Sequence, residues 1–420
     1  MVAGGAAEAL TSLSHDQLAV LGREYLLAGH LQDRASMPWL ILHHDRETMT
    51  QVAIEEWMAA SPIYTRRMQR ALGFAGDDIP TIFKGLQLDV GAPHQFMDFR
   101  FEVSGPDEGR FWLDHCGALM DVEPMGSEFV VAMCHDIEDP TFDATAVATN
   151  PLARVRPVHR PPRQPADRQP HCEWRVFLDH DGSPIEVSDG CRVVGDSVAA
   201  TIEIPAFEGT DTTNGLNAYE QFDPDFQLEH LSTAALLAAC EEFCLQGHLL
   251  VRGLLLAVAS RFGEDQAQEV NRFQLRGIGP VVAARLRDAL GLGQGAEAVA
   301  EVLRLHPVFR PTAYVATDID VLGDRVRVGV LDSPVFGEDH DHTWLHALCT
   351  DATILEAIAQ GVDPRARASA TSATVGEVVA WEITVDPDAE PATIPDEVHL
   401  ARVSTGADFE LRKPLPVASS

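Results

Sequence analysis

The sequence predicts an α+β protein made of two tandem copies of one domain, each with N-terminal helices packed on a small antiparallel sheet. Two observations carry this prediction. The chain repeats itself at a constant offset of 218 residues, and within each copy apolar residues first follow helical spacing and then alternate as in strands. At 420 residues the chain is long enough for two such domains, each with a core of its own.

The internal repeat is clearest in the first helical stretch. Residues 13–34 and 231–252 match identically at nine of 22 positions without a gap, where chance would give roughly one or two. The same offset pairs Pro62 with Pro280. With a slip of three residues, 132–136 falls on 347–351. We therefore expect an internal pseudo-dimer, in which one copy packs on the other.

The elements of a copy follow from capping and periodicity. Ser14 and Ser232 can cap the first helices, and a second helix is predicted over 48–59. Pro62 is expected to start a third helix that stops at Gly73. Strands are predicted over these alternating segments: 99–103, 110–114, 173–178 and 325–330.

The predicted domain organisation has four parts. Residues 1–186 form the first copy, and 187–228 form a linker with a possible strand pair at 191–194 and 199–204. Residues 229–386 form the second, degenerate copy. The Pro- and Asp-rich residues 387–420 are expected to form an extended arm or a frayed tail.

Charge and composition narrow the classes of function. A formal net charge of -33 argues against a nucleic-acid surface and against docking on anionic lipid, since both need a basic patch. A small-molecule ligand is therefore expected. The seven cysteines are an odd number, the amino terminus lacks the pattern of a signal peptide, and no apolar run is long enough to cross a membrane. These features indicate a reducing cytoplasm.

Candidate chemistry is concentrated between Phe111 and Trp174. Three cysteines lie there, each next to a histidine: His115-Cys116, Cys134-His135 and His171-Cys172. Cys116, Cys134 and Cys172, with His171 or His135 as a fourth ligand, make a set that suits zinc or iron if folding brings them together. The alternative is that these cysteines are small buried hydrophobic residues.

A second interpretation makes Cys116 a nucleophile. The adjacent His115 points to the opposite face of a strand, so His135 or His171 is the better candidate for its base. Glu138 is a candidate general acid or base, provided that burial raises its pKa. The alternative for Glu138 is an ordinary solvated carboxylate in an acidic protein.

An arginine-rich segment follows these cysteines. Five of the 31 basic residues fall within 154–168. Guanidinium groups bind carboxylate or phosphate in two-pronged fashion, so this segment is predicted to hold a small anionic substrate. The alternative is an exposed basic loop beside acidic neighbours. The candidate contacts are Arg154, Arg156, His159 and Arg160.

The second copy lacks this chemistry. His115-Cys116 is replaced by Ser333-Pro334, His135 by Thr350, and His171-Cys172 by Val378-Val379. Among the three cysteines, Cys134 alone keeps a counterpart, Cys349. The site is therefore expected in the first copy, with the second copy as a scaffold.

The helical start, the strand pair, the segment between Cys116 and Cys134, and the ending Pro170-His171-Cys172-Glu173-Trp174 together resemble the L-2-aminothiazoline-4-carboxylate hydrolase-like family. More distantly, they resemble the 4-vinyl-reductase domain. The resemblance covers about residues 10–180 and a degraded form of the second copy. It implies hydrolysis of a ring carbon-nitrogen bond in a small cyclic amidine acid, or binding of a small ligand at a cysteine-rich site.

The leading hypothesis is thus a small-molecule enzyme, a hydrolase acting on carbon-nitrogen bonds at a cysteine and histidine site in the first copy. One alternative is a ligand-binding or sensor protein with structural zinc and no turnover. The other is an iron or redox protein that uses the same thiolates.

Overall fold

A computed structural model describes residues 4–207 and 210–402, with side chains from residue 8 onward. Helices precede a four-stranded antiparallel sheet in each of two similar halves, which confirms the predicted α+β class. The sheets have the same topology, with strand orders β1-β2-β4-β3 and β5-β6-β8-β7 once the strands are numbered along the chain.

The first half contains these elements: α1 Gly4–Thr11, α2 His15–His43, α3 Arg46–Ala71, α4 Ile79–Leu86, β1 Met97–Gly105, β2 Glu108–Cys116, α5 Gly117–Val122, a 3-10 turn Glu123–Met125, α6 Ser127–Val131, a π-helix Ala132–Ile137, α7 Glu138–Val147, β3 Ala153–His159 and β4 Cys172–Leu178.

The rest of the described chain contains α8 Asp189–Gly195, α9 Val198–Thr201, α10 Thr233–Phe262, α11 Glu264–Ala289, α12 Ala296–Leu305, β5 Thr317–Leu322, β6 Arg325–Leu331, α13 Trp344–Thr350, α14 Ala352–Val362, β7 Ala366–Thr371, β8 Glu377–Val385 and α15 Asp396–Ala401, with 3-10 turns at Leu228–His230, Pro307–Phe309 and Pro334–Gly337.

The repeat is visible in the helix boundaries. Helix α10 starts 218 residues after α2, and α11 has both ends 218 residues after those of α3. The predicted caps are present, since the hydroxyl oxygens of Ser14 and Ser232 accept hydrogen bonds from the first turns of α2 and α10.

Four helices form the centre of the molecule, and they pack across the halves. Helix α3 packs mainly against α10, and α11 packs against α2. Two buried ion pairs join the halves: Arg67 contacts Glu242 and Arg285 contacts Glu24, each with two hydrogen bonds of 2.6 to 2.9 Å. Because 67 plus 218 is 285 and 24 plus 218 is 242, each contact is the other with the halves exchanged, as in a two-fold dimer.

Two expectations about local structure were wrong. Pro62 does not start a helix but lies inside the continuous helix α3, where it is fully buried among its neighbours. Tertiary packing here outweighs the usual cost of proline in a helix interior. Residues 191–194 and 199–204 do not pair as strands. Instead α8 and α9 occupy most of this stretch, capped by the side chains of Ser188 and Ser197.

Other parts of the chain hold the linker and the carboxyl-terminal segment in place. The carboxylate of Glu338 accepts hydrogen bonds from the backbone N–H groups of Val198 and Ala199 at the start of α9. Within the predicted tail, α15 packs against α11 and α2, and residues 403–420 lie outside the described residues.

Helix α10 is long and apolar enough to cross a membrane by length and composition, the one such helix in the described ranges. However, 83% of its most apolar window is buried inside the protein. This burial agrees with its central position between α2, α3 and α11.

Candidate ligand cavity and cysteine site

A cavity of about 340 Å³ lies in the first half, bounded by α2, α3, strands β1 and β2, and the segment from α5 to α7. That volume is within the range of pockets for drug-sized ligands. The lining is mainly apolar and aromatic, with Met37, Ile41, Trp57, Phe99, Phe129 and Phe142 among its members. Its polar members are His30, Asp33, Arg34, Asp89, Cys116, Asp121, Thr141, Thr145 and Glu138.

The end of strand β2 places Cys116 at the cavity. Its side chain caps α5, because Sγ accepts a hydrogen bond of 3.3 Å from the N–H of Leu119. A π-helix then runs into α7 and presents Met133, Ile137 and Glu138 to the same space. Single-turn π-helices recur at functional sites because the extra residue changes where side chains point.

The three predicted cysteines lie near one another but not all at the cavity. Cys116, Cys134 and Cys172 are buried, and the charge of Glu138 acts on each of them. Of the three, Cys116 lines the cavity. Burial and then Glu138 raise the pKa of Cys116 to about 12, and the pKa values of the other two lie well above their ordinary value. All three are therefore thiols at neutral pH, and a thiol is a weak nucleophile.

Glu138 faces the cavity with an unsatisfied carboxyl group. Its Oε2 atom is buried and has no hydrogen-bond partner among the described residues. Burial raises the pKa of Glu138 to about 8, although the nearby charge of Arg160 lowers it. The side chain can therefore gain or lose a proton close to neutral pH.

The two predicted histidines have other partners. Nε2 of His135 lies 2.7 Å from the carbonyl oxygen of Pro161, and no hydrogen bond joins His135 to Cys116 in the described chain. His171 is buried beside His115, with 5.8 Å between ring centroids. Burial and then the charge of Arg163 lower the pKa of His171 to about 4. Neither His135 nor His171 lines the cavity.

The predicted zinc or iron ligands form no recognisable metal site in the structure. Across residues 4–207 and 210–402, no group of three or more histidine, cysteine, aspartate or glutamate side chains has a metal-binding arrangement. A metal at Cys116, Cys134, His171 and Cys172 would need deprotonated thiols, so it stays a prediction.

The arginine segment lies away from the cavity. Arg156 pairs with Asp143 at 2.8 Å, and Arg160 pairs with Asp139. Arg154 donates to backbone carbonyls that include that of Ser183, and the His159 ring contacts the carbonyl of Pro170. None of the four lines the cavity. Contact with an anionic substrate therefore stays a prediction for Arg154, Arg156, His159 and Arg160.

The cavity also contains residues that the sequence analysis missed. Asp33 and Trp57 line it, and Glu56 lies buried beside Asp33. A signal was present in the repeat, because the second copy has Val251, Gln274 and Leu275 at the positions of Asp33, Glu56 and Trp57. Charged residues of one copy that become uncharged in the other mark a local difference in role.

The second half fills the corresponding space with a side chain. Trp344, which the three-residue slip aligns with Phe129, packs 4.9 Å from the ring of His248. Its indole N–H donates a 2.9 Å hydrogen bond to Gln274, the counterpart of Glu56. The two halves thus share a fold but differ where the first half has its cavity.

Comparisons with known proteins give the chain no relative. No family model, no curated protein and no solved structure that was compared with it matches.

Proposed function

We propose that the first half is a binding module for a small, mainly apolar molecule, with the second half as its scaffold. The observation that carries this proposal is the cavity of about 340 Å³, whose lining is apolar apart from a few placed carboxyl, thiol and imidazole groups. Ligand pockets typically combine an apolar wall with a few polar groups that orient the ligand. The filled space around Trp344 in the second half supports a single binding site per chain.

Filling the cavity should prevent binding. Ala53 lies on α3, is 3% exposed and lines the cavity, so Ala53→Phe places a ring in the ligand space. With 4-phenylbutanol as a neutral probe, we expect binding by the intact chain and at least a tenfold loss of affinity in the variant. Isothermal titration calorimetry measures both affinities.

Urea unfolding of Ala53→Phe shows whether the variant keeps its fold. Equal affinity of the folded variant and the original chain would place the probe elsewhere and contradict the proposal. A smaller blocking change, Ala53→Leu, provides a second test if the phenylalanine variant does not fold.

A second candidate is the hydrolysis of a carbon-nitrogen bond in a small anionic, cyclic amidine-like molecule, and one observation favours it. Glu138 and Cys116 face the same cavity, and a carboxyl whose pKa is about 8 can transfer protons near neutral pH. In this candidate Glu138 is the general acid or base, Cys116 is the nucleophile and His135 its base. Zinc or iron held by the four predicted ligands would supply the activation that the buried thiols lack.

Glu138→Gln separates catalysis from binding. We expect the full chain to consume L-2-aminothiazoline-4-carboxylate, and the variant to do so about a hundredfold more slowly, since acid–base groups typically contribute that much or more. Chromatography of the remaining substrate gives the rate. Glu128→Gln is the matched control, because its side chain is 66% exposed and lies outside the cavity lining. Absence of turnover by the original chain, loaded with zinc or iron or not, would eliminate this candidate.

A further inference from the structure

We propose that the ligand of the cavity is a cationic amine with an apolar body, whose positively charged nitrogen pairs with Asp33. This inference rests on the proposed binding function and adds the chemical class of the ligand. It concerns Asp33, Glu56 and Trp57, on helices α2 and α3, at a part of the lining formed by different elements from those that carry the cysteines and Glu138.

The carboxyl group of Asp33 is held in place by its neighbours. Its Oδ2 atom accepts a 3.0 Å hydrogen bond from the indole N–H of Trp57. Behind it, Glu56 is 0% exposed and neither of its carboxyl oxygens accepts a hydrogen bond. Burial and the charge of Asp33 raise the pKa of Glu56 well above its ordinary value. Glu56 is therefore protonated at neutral pH and can donate to Asp33, which leaves Asp33 as the group that takes the negative charge.

Nothing in the described chain neutralises that charge. The pKa of Asp33 is raised to about 7 by burial, and the side chains that act on it are Trp57 and Glu56, neither of them a cation. Arg34 also lines the cavity, but its guanidinium pairs with Asp121 and donates to the carbonyl of Arg402. A buried carboxylate without a counter-ion is unfavourable, and a bound cation removes that penalty.

The charge of the whole lining has the same sign. It contains four carboxyl groups and one guanidinium, and His30 adds no positive charge because burial and Arg34 lower its pKa to about 3. The cavity thus favours a positive ligand over a negative one by simple Coulomb attraction in a medium of low dielectric constant.

The aromatic lining fits a cation with an apolar body. Trp57 lies at the hydrogen bond to Asp33, and Phe99, Phe129 and Phe142 belong to the same wall. Aromatic faces attract ammonium groups, and more strongly where water is excluded. The same rings bury the apolar part of an amine, so one surface serves both ends of the ligand.

The second half shows that the fold does not require these groups. At the matching positions it has Val251, Gln274 and Leu275, and Gln274 is bonded to Trp344 instead of facing a cavity. The acidic pair therefore occurs where the cavity occurs and is lost where the space is filled. This is the pattern of groups kept for a ligand at some cost in stability.

Three probes with one skeleton test the inference: 4-phenylbutylamine, 4-phenylbutanol and 4-phenylbutyrate, which are positive, neutral and negative at pH 7. Calorimetric titration of the full chain should rank the amine first, at least about tenfold tighter than the alcohol, and the butyrate last. The butyrate also tests the anionic ligand that the arginine segment predicts. The expected order supports the inference, whereas equal or tighter binding of the alcohol or the butyrate overturns it.

Asp33→Asn locates the charge preference. We expect the variant to lose about tenfold or more in affinity for the amine and to keep its affinity for the alcohol within about twofold. The control Asp181→Asn removes an exposed aspartate outside the cavity and should change neither affinity. If Asp33→Asn retains the amine preference, the inference fails.

The two proposals can fail separately. Binding of the alcohol without any preference for the amine leaves the binding function standing and overturns the cationic ligand. No binding of any probe overturns both. Should Asp33→Asn fail to fold, Glu56→Gln is the second variant, and its amine preference should fall because the donated proton no longer orients Asp33 in the same way.

Discussion

Arg67→Ala is expected to lower the free energy of unfolding by about 3–5 kcal/mol, because it leaves Glu242 charged and buried between the halves. The Arg67 side chain is 5% exposed and that of Glu242 is 8% exposed. Arg67 also donates to the carbonyls of Ala200 and Ile202, so the variant loses contacts to the linker as well. Urea unfolding followed by circular dichroism measures the change.

The symmetry-related pair and an exposed arginine provide controls for this prediction. Arg285→Ala should destabilise less than Arg67→Ala, since the Arg285 side chain is 24% exposed. Arg175→Ala breaks a pair in which both side chains are about half exposed and should cost no more than about 1 kcal/mol. If Arg67→Ala costs as little as Arg175→Ala, the halves are not held together by these buried pairs.

The stability of the protein should fall by about 2 kcal/mol between pH 6.5 and pH 8.5, with Glu138 as the main cause. The folded pKa of Glu138 is raised to about 8 by burial, against an ordinary value of 4.5. In this pH range the unfolded carboxyl has already lost its proton while the folded one still holds it. Stability that is fully present below the unfolded pKa is therefore lost as pH rises through the folded pKa.

The chosen pH window separates Glu138 from the buried histidines. The folded pKa values of His30, His171, His248 and His306 are lowered to about 3 or 4. These groups increase stability as pH rises to about 6.5 and add nothing above it. Asp33, with a folded pKa of about 7, contributes a smaller loss of the same sign as Glu138.

Glu138→Gln should remove most of this pH dependence and make the protein more stable than the original chain at pH 8.5. Unfolding midpoints in urea at pH 6.5, 7.5 and 8.5 measure it. Glu128→Gln should keep the original slope. An unchanged slope in Glu138→Gln would show that the carboxyl is solvated in the folded protein.

The fold was largely predictable because its signals are local or repeated. Matching residues at one offset located α2 and α10, and the strands followed from alternation. Pro62 was misread because local rules place proline at helix starts, whereas here the helix continues through a tightly packed core. The linker was misread because short apolar runs fit a strand or a helix equally well.

The candidate site was predictable only in part. Cys116 and Glu138 were selected for their chemistry, and both line the cavity. The arginines were selected for their charge, but nearby carboxylates such as Asp143 and Asp139 pair with two of them. Asp33 and Trp57 lie far from this segment in sequence. Only the packing of α2 and α3 against the sheet brings them to the same space.

The exchange of helix partners between the halves has a consequence for how the chain can change over time. Because α3 packs mainly on α10 and α11 on α2, neither half buries its helices without the other, and the covalent connection makes their association independent of protein concentration. Two separate, identical subunits would have to accept every substitution twice. A fused pair can instead let one half lose its pocket and specialise in support, provided that it keeps Glu242 and Arg285.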